Sequence, residues 1–109
     1  MAEPSLTEVF GAGATQTATT ITILKADLPG LTAATDNRAE QLWVGMFLII
    51  KESLTPERQE SNPDQNIVID EPFGSDSLVS RNNQIFRQKS FTINLQKIDT
   101  QSTIDPDDY

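Results

Sequence analysis

The stretch from Ala39 to Leu54, AEQLWVGMFLIIKESL, constrains this chain most, because it alone is apolar enough to organise a core. Its centre, Leu42 to Ile50, runs nine residues without a charge. Keeping that much apolar surface in water is too costly, so the run must be buried. A membrane span needs about 20 apolar residues, and this run is bounded by Arg38, Glu40, Lys51 and Glu52. Burial inside protein, not lipid, is the expectation.

A short continuous apolar run fits a strand or a helix. β-branched and aromatic residues dominate here, and Gly45 would cost a helix interior about 1 kcal/mol relative to Ala. A strand is therefore expected. Alternation would put Leu42, Val44, Met46, Leu48 and Ile50 on one face and Trp43, Gly45, Phe47, Ile49 and Lys51 on the other, both apolar. Such a strand lies centrally between two layers or in a subunit interface. The alternative is a helix capped at Asp36, with Glu40 near its first turn, apolar almost all round and again buried.

A chain of 109 residues is one domain at most. Only 37% of its residues are hydrophobic, and they concentrate in part of the chain, so the core is small for the length. The net charge of -8 argues against a phosphate-backbone binder, which relies on Lys and Arg, and nucleic acid is not expected as a partner. The chain has no Cys, hence no disulfide or thiolate metal site, and no His, the commonest general base. The first 25 residues lack a basic start followed by an apolar run, so no secretory signal is expected and cytoplasmic synthesis is the default.

Residues 1–19 read as an N-terminal arm, rich in Gly, Ala and Thr, in which Leu6, Val9 and Phe10 form one anchoring turn or plug. Residues 20–98 read as a β core. Within it, Thr20 to Leu24 alternates Thr with Ile or Leu as a half-buried strand does. Pro29-Gly30 marks a turn, and Thr55 to Asn66 reads as a solvated loop. Ile67 to Ile69 is a short strand, and Phe73 to Asn83 a second loop. Gln84 to Ile98 reads as one long strand, with Phe91, Ile93 and Leu95 on its core side. Residues 99–109 form an acidic tail ending in Tyr109, too polar to fold alone. The predicted fold is mainly all-β: a small antiparallel sandwich or open barrel with an extended arm at each end.

No constellation rises to a catalytic or ligand site. The Gly11-Ala12-Gly13 sequence lacks the spacing and the Lys-Ser/Thr of a phosphate loop. The tail DPDD lacks the spaced ligands and terminal Glu of a calcium loop. Asp64 with Asp70, or Glu57 with Glu60, would make a glycosidase pair only if something fixed their separation. No cofactor, no metal and no enzymatic activity are expected. Trp43 beside Phe47 has the makings of a sugar-stacking platform, but aliphatic neighbours point to a core or interface role. Arg81, Arg87 and Lys89 near Phe86 are expected to pair with the chain's own arms or with a neighbouring subunit.

With FGAGATQTATTITI near its start and STIDPDDY at its end, the chain resembles small virion structural proteins of tailed bacteriophages, particularly those infecting cyanobacteria. That resemblance implies a non-enzymatic particle component located in the virion. A capsid cement or decoration protein on the major capsid lattice comes first, a neck, tail or baseplate part second. A soluble protein- or glycan-binding module is the alternative from another class. The two-sided apolar segment adds an expectation of homo-oligomers, a trimer or higher ring. Contacts to other virion proteins would run through the arms, anchored by Leu6, Val9, Phe10 and Tyr109, with Trp43 and Phe47 at the interface.

Overall fold

A computed structural model of the chain describes residues 2–97, 104 and 106–109. With 31% helix and 24% strand it is mixed α/β, which corrects the expectation of a mainly all-β fold. The strands are antiparallel as expected, but they form three separate two-stranded sheets and close no barrel or sandwich.

The chain opens with helix α1, Leu6–Phe10. It is short, and a reciprocal cap holds it: the Glu8 amide donates to Ser5 Oγ at 3.2 Å and the Ser5 amide to Glu8 Oε1 at 3.3 Å. Strands β1, Thr15–Gln16, and β2, Ile21–Thr22, pair as Thr15 with Thr22 and Gln16 with Ile21, around a turn where Thr17 Oγ1 and Thr20 Oγ1 lie 2.7 Å apart. The Thr20 to Leu24 strand is thus real but only two residues long. A 3-10 turn over Lys25–Asp27 follows, and Asp27 Oδ2 accepts from the Gly13 amide at 2.8 Å. Position 13 must be Gly because a Cβ there would fall on the Leu24 side chain.

Ala39–Ser53 is the helix α2, not the expected strand. Three physical reasons decide it. Good helix formers flank the run at Ala39, Glu40, Gln41, Lys51 and Glu52. The deeply buried positions, Gly45, Ile49 and Ser53, recur every four residues, so one helical face serves the core. Leu28, 6% exposed, lies against position 45, where a Cβ would sit 3.2 Å from the Leu28 Cβ, so the helix cost of Gly45 is offset by close packing. A two-faced strand would have needed two covering layers that the chain does not contain.

Thr55 to Asn66, expected as a loop, holds helix α3, Pro56–Ser61, with Thr55 Oγ1 accepting from the Arg58 amide at 3.1 Å and Pro56 in the first turn. Strand β3, Ile67–Asp70, then pairs with β6, Thr92–Leu95, setting Ile67 against Leu95 and Ile69 against Ile93. The Ile69 amide also donates to the Leu54 carbonyl at 2.8 Å, fastening β3 to the end of α2. Gln65, 2% exposed, fixes this corner: its Nε2 donates to the Thr55 carbonyl at 3.1 Å and to the Ile67 carbonyl at 2.9 Å.

Phe73 to Asn83 is not a loop throughout, and Gln84 to Ile98 is not one strand. Strand β4, Asp76–Arg81, and strand β5, Gln84–Lys89, make a hairpin around Asn82 and Asn83, with φ of 51° and 61°. Two successive residues at positive φ match the right-handed twist of paired strands, and Asn tolerates that conformation. The long strand breaks at Ser90 and Phe91, where the chain leaves β5 for β6.

Residues 1–19 are not a detached arm where they are described. α1 packs on α2, with the Ser53 hydroxyl donating to the Glu8 carbonyl. Asn62 Nδ2 donates to the Ala2 carbonyl at 2.8 Å, and Asn66 Nδ2 to Glu3 Oε1 at 3.0 Å. Of the acidic tail, Asp99 and Asp105 lie outside the described residues; Pro106–Asp108 form a 3-10 turn. The buried apolar core comprises Ala14, Leu28, Ile49, Leu54, Val68 and Ile69, as small as the composition implied.

Candidate functional site

Among the described residues no three His, Cys, Asp or Glu side chains are grouped so as to hold a metal ion. Nor does any helix reach the length and apolarity needed to cross a membrane. Glu57 and Glu60 are exposed on α3, and Asp64 and Asp70 are exposed on either side of the Gln65 corner. What the structure offers instead is surface.

The first surface runs along α2. Trp43 and Phe47, one turn apart, stack with ring centroids at 5.4 Å and planes at 7°. Phe47 meets Phe91 edge-on at 4.9 Å and 64°, and Lys51 Nζ sits 5.1 Å from the Phe91 centroid. Each aromatic pair adds about 0.5–1.5 kcal/mol beyond its area. The stripe begins half-buried at Phe47 and Phe91 and ends in solvent at Trp43, 60% exposed. Trp43 and Phe47 were legible as an apolar pair; Phe91 was read as core, and its junction role was not.

The second surface is the β4–β5 hairpin, all of whose residues are exposed except Phe86. Cross-strand partners share a face, so Asp76, Leu78, Ser80, Ile85, Arg87 and Lys89 lie on one side and Val79, Arg81, Gln84 and Phe86 on the other. On the first side Asp76 draws in both Lys89, at 3.2 Å, and Arg87, at 3.8 Å. On the second, the Arg81 guanidinium lies 4.4 Å from the Phe86 centroid. The cations therefore pair within the hairpin, not with the arms. Leu78 and Ile85 remain 63% and 75% exposed. The sequence signal for this element was Asn82-Asn83, a dipeptide that tolerates positive φ at both positions.

The residues expected to anchor arms have a different setting. Val9, Phe10 and Tyr109 line one groove of their own chain, together with Leu54, Gln65 and Ile67. Leu6 is half-buried in α1 and outside that lining. The structure thus brings three of the anchors together from opposite ends of the sequence and keeps them apart from Trp43 and Phe47. Comparison with known proteins gives no match at any level: no family model fits the chain, no curated protein is similar in sequence, and no solved structure matches it.

Proposed function

We infer that this chain is a non-enzymatic structural subunit that works as one copy among several in a larger particle. The observation that carries this reading is the state of its sheets. All three have two strands, so among the described residues each strand pairs on one side only. An isolated two-stranded ribbon is marginal in water; a third strand or a packed partner is what normally stabilises it. Open edges also recruit strands from other chains. The radius of gyration, 16.4 Å against about 13 Å for a compact domain of this size, fits a shape completed by neighbours.

The particle in view is a virion of the tailed-phage type, with capsid decoration on the major capsid lattice ahead of a neck, tail or baseplate position. The Gly/Ala/Thr-rich start and acidic end support that choice of particle. The neighbour-facing elements in this reading are the hairpin and the Trp43 stripe, since the N-terminal segment is docked on its own α2. Gradient-purified particles from producing cells test it. The chain is expected to sediment with the particle at a fixed ratio to the major structural protein; recovery only as a slow-sedimenting free protein would reject the reading.

A further inference from the structure

We propose that the β4–β5 hairpin of one copy docks into an acidic cleft of the next copy, giving a head-to-tail contact between identical chains. This deepens the assembly reading above and rests on it. The hairpin is the charge exception in the molecule. Residues 76–89 hold Arg81, Arg87 and Lys89 against Asp76 alone, a net +2, so the remainder carries -10 of the chain's -8. The exposed apolar side chains Leu78 and Ile85 share a face with Arg87, Lys89 and Asp76, whose one carboxylate pairs with both cations and leaves that face net positive. Apolar area framed by cations suits an acidic acceptor with an apolar floor, and it is kept off nucleic acid by the charge of the rest of the chain.

The chain itself carries an acidic acceptor. Where α2 ends, α3 begins and β3 ends, Glu52, Glu57, Asp70 and Glu71 line a cleft around Ile69. Lys51 is the one cation in that lining, and Glu71 engages it at 3.5 Å. The C-terminal end of α2 is the negative end of its helix dipole and adds negative potential there. Hairpin and cleft are different patches, so the contact is heterologous and propagates until a ring closes. A self-matching two-fold contact through the hairpins would instead bring cationic strands together.

The test uses the full chain in sedimentation-velocity runs over a range of concentration and salt. The wild type is expected to associate, more weakly as salt rises. Arg87→Glu with Lys89→Glu in one variant, and Glu57→Lys with Asp70→Lys in another, are each expected to weaken association about tenfold or more, with unchanged circular dichroism. Mixed one to one, these two variants offer one wild-type hairpin–cleft pair and one charge-swapped pair, so association is expected to return in the mixture. If a reversal unfolds the hairpin, the uncharged pair Arg87→Gln and Lys89→Gln carries the same test. Association by the wild type with variants that match it, or a mixture that stays monomeric, overturns this contact and leaves the assembly reading intact. A wild type monomeric at every concentration overturns the contact too, and particle sedimentation then decides the broader reading by itself.

Discussion

Leu28 packs against the one position of α2 that lacks a side chain, Gly45, closely enough that a Cβ there would stand 3.2 Å from its own. The loop after the 3-10 turn and the middle of the longest helix are thereby held at near-backbone distance. Gly45→Leu is expected to destabilise the protein by about 1–3 kcal/mol despite the better helix propensity of Leu, because the added carbons overpack the site. Adding Leu28→Ala should return part of that loss. Urea unfolding of both variants checks the pair; a Gly45→Leu protein as stable as the parent would show that the loop yields freely.

Gln65 supplies two donors to two carbonyls in a corner that is closed to water. Gln65→Leu leaves the Thr55 and Ile67 carbonyls without them and is expected to cost about 1–3 kcal/mol. Gln65→Glu places a carboxylate against the same carbonyls, which favours its protonated form and raises its folded-state pKa above the unfolded value. The variant should therefore lose stability as pH rises through the ordinary carboxylate range and regain it on acidification, the opposite of a salt-bridged carboxylate. Denaturation midpoints at pH 4 and pH 7, relative to wild type, read the sign.

Trp43 and Phe47 should separate in a truncation series. Phe47 is half-buried between two rings, and Phe47→Ala is expected to cost about 3 kcal/mol. Trp43→Ala removes one stacked pair at the solvent end and should cost about 1 kcal/mol or less. If thermal unfolding finds Trp43→Ala the costlier, the stripe is anchored at its outer end and the geometry is misread.

Asn82 and Asn83 set the hairpin turn at positive φ. Asn83→Gly gives the dipeptide such a turn most favours and should slow amide exchange in β4 and β5; replacing both with Val should speed it, since β-branched residues resist that conformation. Exchange in α2 and β3 should not respond, because the hairpin opens on its own. A change shared by all elements would show one cooperative unit instead.

The sequence located several elements and was poor about what they bury: Ile93 and Leu95, expected on a core side, are 54% and 42% exposed. The Ile67 strand and the antiparallel pairing are present in the structure, but the Leu42 to Ile50 run is not buried throughout: only Gly45 and Ile49 are, while Trp43 and Val44 are 60% and 50% exposed. Helix α2 was missed because its buried face uses Gly45 and Ser53, small residues that carry no hydrophobic signal. Helix α3 was missed because it has no apolar face; Thr55 followed by Pro56 was its only mark. The hairpin was half-missed because its Ser- and Gln-rich strands lack the alternation that burial imposes. Trp43 and Phe47, placed on one face of the expected strand, do stack, one turn apart on a helix. The grouping of Val9, Phe10 and Tyr109 depends on tertiary folding across nearly the whole chain, and local pattern holds no trace of it.

Phe91 is where the chain passes from β5 to β6, and it is also the ring that Phe47 holds edge-on. The pose of the hairpin is therefore set at its base by an aromatic contact. Six residues of strand reach about 20 Å, so a tilt of about 10° at Phe91 displaces the Asn82-Asn83 tip by about 3–4 Å. By the same geometry, a slight repacking of Phe91 on Phe47 would reach the tip as a shift of most of a strand spacing.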